Sequence, residues 1–207
     1  MFRQKFLTKD FTTKIIEKAA GKVPQTVLED FLSCIEKETA HHYFTKSSES
    51  NLLRIIQNQF DIAFFFNECL KYPHQIEILI SLSNNTNYLT DILVRNPEYF
   101  HWIINPSVLE QKIDSKYFKE NLEKTVSSFR TFDSKVNAIR NFKRKEILRI
   151  GLKDIYLKEE LKDTTRYLSN LANSISSVLF ELCYKEILIN YSLEKTTRKY
   201  VIFSLGK

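Results

Sequence analysis

Apolar positions recur at helical spacing along almost the whole chain, but the predicted helices are punctuated differently in its two halves. Between Asn51 and Leu109 short periodic runs are each followed closely by a polar break or a proline: NLLRIIQNQF, DIAFFFNECLKYP, HQIEILISLS, NYLTDILVRNP and EYFHWIINP. A residue before proline is pushed out of the α region, so Tyr72, Asn96 and Asn105 are expected helix ends. Asp61 stands where it can cap the helix after it. Phe64, Phe65, Phe66, Tyr99, Phe100 and Trp102 are expected in a core. Ahead of this part, helices at about 10–20 and 25–39 are separated by Gly21 and Pro24, and polar HHYFTKSSES follows them.

From Asp114 the runs lengthen. One predicted helix extends to about Phe129 and the next runs through KVNAIRNFKRKEILRIGLKDIY, with Asp114 and Asp133 as expected N-caps. A third run, EELKDTTRYLSNLANSISSVLFELCYKEIL, is long enough to be the spine of a domain. Polar NYSLEKTTR then breaks the period, and YVIFSLGK reads as one β-strand running into Gly206 and Lys207. The expected fold class is all-α, short helices followed by long ones, with that single strand at the C-terminus.

Composition narrows this further. Only 3 Gly and 4 Pro in 207 residues leave too few turn formers for a sandwich or barrel. No apolar run reaches the roughly 18 residues of a membrane span. The opening MFRQKFLTKDFTTK lacks the apolar block of a secretory signal. Cys34, Cys69 and Cys183 are odd in number and widely spaced, which suits reduced thiols and a cytoplasmic setting.

Charge divides the chain. Residues 1–110 hold eleven Lys and Arg against thirteen Asp and Glu, whereas residues 111–207 hold twenty against twelve. The densest block is Arg130 to Lys153, with eight basic residues against Asp133 and Glu146. Such a block can meet phosphate or can be a solvated helix face. A nucleic-acid role fits poorly, because the aromatic residues cluster in the other half and do not interleave with the basic ones.

Nucleophilic and metal chemistry find little purchase. The sequence has no Cys-x-x-Cys or His-x-x-x-His spacing, His41 and His42 are adjacent, and His74 and His101 sit among apolar residues. Gly-x-Ser-x-Gly is absent, and Glu146, Glu159 and Glu160 form no close carboxylate pair for metal-dependent phosphoryl chemistry. No catalytic or metal-ligating residue is assigned. At about 100° per residue, Ile147, Leu148, Gly151, Leu152 and Ile155 share one apolar arc, with Lys145, Arg149 and Lys153 at its edge and Arg144 inside it. An arginine on a core-facing arc needs a carboxylate, a carbonyl or a ligand phosphate. Both an internal ion pair to the neighbouring long helix and a nucleotide contact satisfy that.

The order of these segments resembles the glutamine synthetase adenylyltransferase / adenylyl-removing family. LTDILVRNPEYFHWI is similar to the family's Leu-x-Arg-x-Pro-Glu helix end and its aromatic successor. FKRKEILRIGLKDIY resembles an Arg-Arg/Lys-Glu-x-Leu-Arg-Ile segment, here Arg144, Lys145, Glu146, Leu148, Arg149, Ile150 and Asp154. LSNLA, Leu168 to Ala172, matches the next helix, and VIFSLGK looks like the strand that opens a nucleotidyltransferase domain. The resemblance covers about residues 51–207. It implies transfer of AMP from ATP to a tyrosine of glutamine synthetase and its phosphorolytic removal, with Mg2+ and ATP bound. The implied partners are glutamine synthetase and a nitrogen-signalling regulatory protein. It also implies a nucleotide-contacting role for Gly206 and Lys207, at the entry of a phosphate loop, and for Arg144, Lys145 and Arg149.

In the family a Ser-Asp-x-Asp segment follows that loop and holds the metal. The sequence contains no such segment, so the 207-residue chain is expected to be the front of an enzyme and inactive alone. The expected organisation is an N-terminal helical extension over 1–50, a helical domain over 51–198, and the start of a nucleotidyltransferase domain over 199–207. The competing expectation is a self-contained helical module that docks a protein partner and does no chemistry.

Overall fold

Thr8, Thr45, Asp61, Thr86, Asn105 and Asp114 each accept a backbone N–H from two or three residues ahead, and a helix begins after each. The computed structural model describes residues 7–194. Among them the chain is helical and contains no strand. The helices are α1 (Lys9–Ala19), α2 (Gln25–Thr39), α3 (Lys46–Gln57), α4 (Ile62–Lys71), α5 (His74–Asn85), α6 (Asn87–Arg95), α7 (Glu98–Ile103), α8 (Pro106–Glu110), α9 (Ser115–Ser127), α10 (Phe132–Ile155) and α11 (Leu161–Asn190). The expected strand over Tyr200–Leu205, with Gly206 and Lys207, lies outside the described residues. No described helix is long and apolar enough to cross a membrane.

The chain divides into two units. The first holds the residues up to Gln111 together with Gly151–Glu159, and the second holds Lys112–Ile150 with the residues from Glu160 on. In the first, α5 is the central helix: apart from Glu77, every residue from Gln75 to Ser83 is buried. Only a helix covered on nearly all sides tolerates that many apolar positions in a row. Around it, α1 and α2 supply Phe11, Ile15, Phe31 and Ile35, and α3 supplies Leu52, Ile55 and Ile56. Phe31 stacks on Phe66 with ring centroids 3.9 Å apart, and Phe65 meets Phe100 at 5.3 Å. The last turn of α10 belongs to this unit. A Cβ on Gly151 would lie 2.5 Å from Leu89 Cδ1, so the glycine permits the approach of α6.

The second unit is built from α9, α10 up to Ile150, and α11. Phe118, Leu122 and Val126 of α9 pack with Ile139, Phe142 and Ile150 of α10 and with Tyr167, Leu171 and Val178 of α11. At about 2 kcal/mol for each fully buried large side chain, this core is the main source of that unit's cohesion.

Three local expectations need correction. Phe64 is 50% exposed rather than core, its ring 5.4 Å from that of His101. Asp133 lies in the first turn of α10, and Thr131 caps instead, accepting from Ser134 N–H at 3.3 Å. Asn105 does not end α7; it starts α8, a five-residue helix too short to show a period.

Candidate functional site

The basic block of the sequence is α10, and the structure centres the buried face of that helix on Arg149 rather than on the apolar arc, although Leu148 and Leu152 of the arc are buried too. Arg144 is exposed, and its Nη1 donates to Asn141 Oδ1 at 3.3 Å. Its expected place on a core-facing arc is therefore corrected. Arg149 takes the inward position, 1% exposed, and Glu146 goes in with it at 2%. The reason is electrostatic. A Glu and an Arg three residues apart on a helix meet side by side, so both can be buried as one neutral pair.

The pair has close geometry. Arg149 Nη2 donates to Glu146 Oε1 at 2.6 Å and also to the hydroxyl of Tyr117 on α9. The guanidinium carbon lies 4.9 Å from the centroid of the Tyr117 ring. The Tyr117 hydroxyl donates in turn to Glu146 Oε1, a long contact of 3.4 Å. Asp114 fixes the tyrosine in place by capping α9 at the Tyr117 N–H, 2.7 Å away. Glu146 Oε2 is buried with no hydrogen-bond partner among the described residues. Burial pushes the Glu146 carboxyl above the ordinary carboxylate range, against the opposing pull of Arg149, of Lys145 and of the Tyr117 hydroxyl. Burial likewise raises Tyr117, with the Glu146 charge adding to it, and lowers half-buried Lys145.

In the first unit Lys153 is also buried. Its Nζ pairs with Glu159 Oε1 at 2.7 Å and donates to the Leu109 carbonyl at 2.7 Å, tying the last turn of α8 to the turn after α10. Tyr156, also in this unit, donates its hydroxyl to Glu77 Oε2 at 3.0 Å; burial first and that bond second push its pKa up to about 12.

The residues named for nucleotide contact thus part company. Arg149 is committed to Glu146 and Tyr117 inside the second unit. Arg144 stands on an exposed ridge with Arg140 and Lys143, and Lys145 is half-buried beside it. Arg140 donates to Asn137 Oδ1 at 3.1 Å, the same i−3 arrangement as Arg144 with Asn141. Gly206 and Lys207 lie outside the described residues. A ridge of this kind can meet phosphate or an acidic protein surface. Tyr117 escaped the sequence reading, because nothing in KYFKEN separates an ion-pair partner from an ordinary core tyrosine.

A family model for glutamate-ammonia ligase adenylyltransferase matches residues 76–207, from α5 through α11 and beyond. The chain belongs to that family. Its adenylyltransferase character is thereby established at the level of the family, and the Glu146–Arg149 pair lies within the matched stretch. No curated protein matches the chain. The family resemblance implies Mg2+, but among the described residues no three His, Cys, Asp or Glu side chains gather to hold a metal ion. The described residues do not fit one.

Proposed function

We propose that this adenylyltransferase-family chain is the helical portion of an enzyme that modifies glutamine synthetase. AMP is transferred from ATP to a tyrosine hydroxyl of that protein, pyrophosphate leaves, and the AMP is removed again by phosphorolysis. A nitrogen-signalling protein sets the balance, and the setting is the cytoplasm. The observation that carries this reading is the family match over residues 76–207, well over half of the chain.

Within that reading the division of labour follows chemistry. Arg144, with Arg140 and Lys143 beside it and Lys145 behind, makes the electrostatic contacts to nucleotide phosphate or to the protein substrate. Arg149 is a positioning residue: locked to Glu146 and Tyr117, it holds α10 so that the ridge faces outward. The helical domain runs over about 51–198. Gly206 and Lys207 open the phosphate loop of a nucleotidyltransferase domain starting at about residue 199, and ATP and Mg2+ are held outside the described helices. The 207-residue chain transfers no AMP by itself, since its sequence has no Asp-x-Asp pair of any kind.

The test is incubation of the purified chain with glutamine synthetase and ATP labelled at the α-phosphate. The reading predicts a complex of the two proteins that carries no label. Label on glutamine synthetase would contradict the assigned inactivity alone. Absence of any complex would contradict the assigned substrate.

A further inference from the structure

Arg140, Lys143 and Arg144 are all exposed, on the face of α10 turned away from buried Phe142, Glu146 and Arg149. None of the three forms an ion pair with another described residue. Elsewhere in the second unit exposed cations are matched within their own helices. Lys116 lies 3.8 Å from Glu120, Lys119 lies 3.9 Å from Glu123, and Arg166 lies 2.5 Å from Asp163. On α10 the only carboxylate one turn from the ridge is Glu146, three residues after Lys143, and it is turned inward onto Arg149. Like charges three and four residues apart weaken a helix. The three cations therefore lack the local anion that their counterparts on α9 and α11 have.

The two arginines are nevertheless held in place. Arg140 donates to Asn137 Oδ1 at 3.1 Å and Arg144 to Asn141 Oδ1 at 3.3 Å. A neutral amide fixes a guanidinium without cancelling its charge, and each bond uses one of five N–H donors. Two ordered forks result, one helical turn or about 6 Å apart along the axis, with Lys143 set to one side. A nucleotide fits this ridge poorly, because α10 offers no exposed ring beside it: Phe142 is buried and Phe132 lies eight residues before Arg140. Three cations are also few for a nucleic acid, whose binders neutralise about 6–10 phosphates. Carboxylates one turn apart on another helix match both the spacing and the charge.

We propose that Arg140, Lys143 and Arg144 dock an acidic helix of a protein partner, with carboxylates at i, i+4 spacing, and that the ridge is not a nucleotide site. Such docking rests on the reading that this chain engages a protein, and holds whether or not that protein is glutamine synthetase.

Fluorescence anisotropy tests this with the 207-residue chain and a labelled peptide crosslinked into a helix, its glutamates at i, i+3, i+4 and i+7. An isomer of the same composition, with glutamates spread around the helix, is the control. The first peptide should bind saturably, and the isomer about tenfold more weakly. The double variant Arg140→Gln, Arg144→Gln should also lose about tenfold for the first peptide. Both substitutions are at exposed positions and leave the Glu146–Arg149 pair in place. ATP should displace the peptide no better than sodium chloride of equal ionic strength. Equal affinity for the two peptides, unchanged affinity in the variant, or no binding of either peptide overturns the proposal. Displacement by ATP well below the equivalent salt also overturns it, because nucleotide would then be the anion. Peptide binding without binding to glutamine synthetase upholds the docking face and overturns only the assigned substrate.

Discussion

Replacing Glu146 with alanine leaves the Arg149 guanidinium in the core of the second unit without its carboxylate. Breaking a buried pair in this way costs about 3–5 kcal/mol, so Glu146→Ala should lower the urea midpoint steeply. Glu146→Gln keeps an oxygen for Arg149 and should cost far less. The two variants also separate burial from charge. Because burial raises the Glu146 carboxyl, the folded protein holds that proton to higher pH than the unfolded chain does. Its contribution to stability is complete below the ordinary carboxylate pKa of about 4.3. It is lost as pH rises from there through the raised value, and is level above it. Glu146→Gln should therefore gain on the wild type across that window, and a stability difference that stays flat with pH would contradict the assignment. The sequence held both residues in plain view, but a period count treats charges as outward. The apolar arc alone puts Arg144 inward, whereas the buried positions of α10 centre on Arg149.

Helix starts and stops at the scale of elements were more legible than helix faces. Pro73 and Pro97 each follow the residue that ends a helix, Tyr72 and Asn96, because proline excludes the preceding residue from the α region. Asp61 and Asp114 cap as their positions suggest. The face of α10 was not legible, because a helix that carries Glu146, Arg149 and Lys153 inward has little apolar period left to read. Gly151 is the element-scale test. Leu89 Cδ1, Cδ2 and Cγ all lie within 3.3 Å of where a Cβ would sit. Gly151→Val should cost about 1–3 kcal/mol by overpacking in spite of removing a helix glycine. A thermal midpoint equal to or above the wild type would show that α6 gives way without strain.

For the whole molecule, the four segments that resemble the adenylyltransferase family all fall within residues 51–207, and the family match covers 76–207. Helices α1 and α2 carry no motif, because burying Phe11, Ile15, Phe31 and Ile35 asks only for apolar residues at helical spacing. Fold class was readable from period and punctuation. The family was readable from short charged and aromatic segments in order. The outward ridge at Arg140, Lys143 and Arg144 became clear only once Arg149 was seen to be buried.

The central claim is that this ridge belongs to a protein that engages glutamine synthetase. Sedimentation of glutamine synthetase with the 207-residue chain, and with its Arg144→Glu variant, tests it most directly. The account predicts saturable binding that weakens with added salt and falls about tenfold in the variant, as loss of a charge facing a complementary surface requires. Equal binding by both proteins would contradict the role of the ridge, and no binding by the wild type would contradict the claim itself.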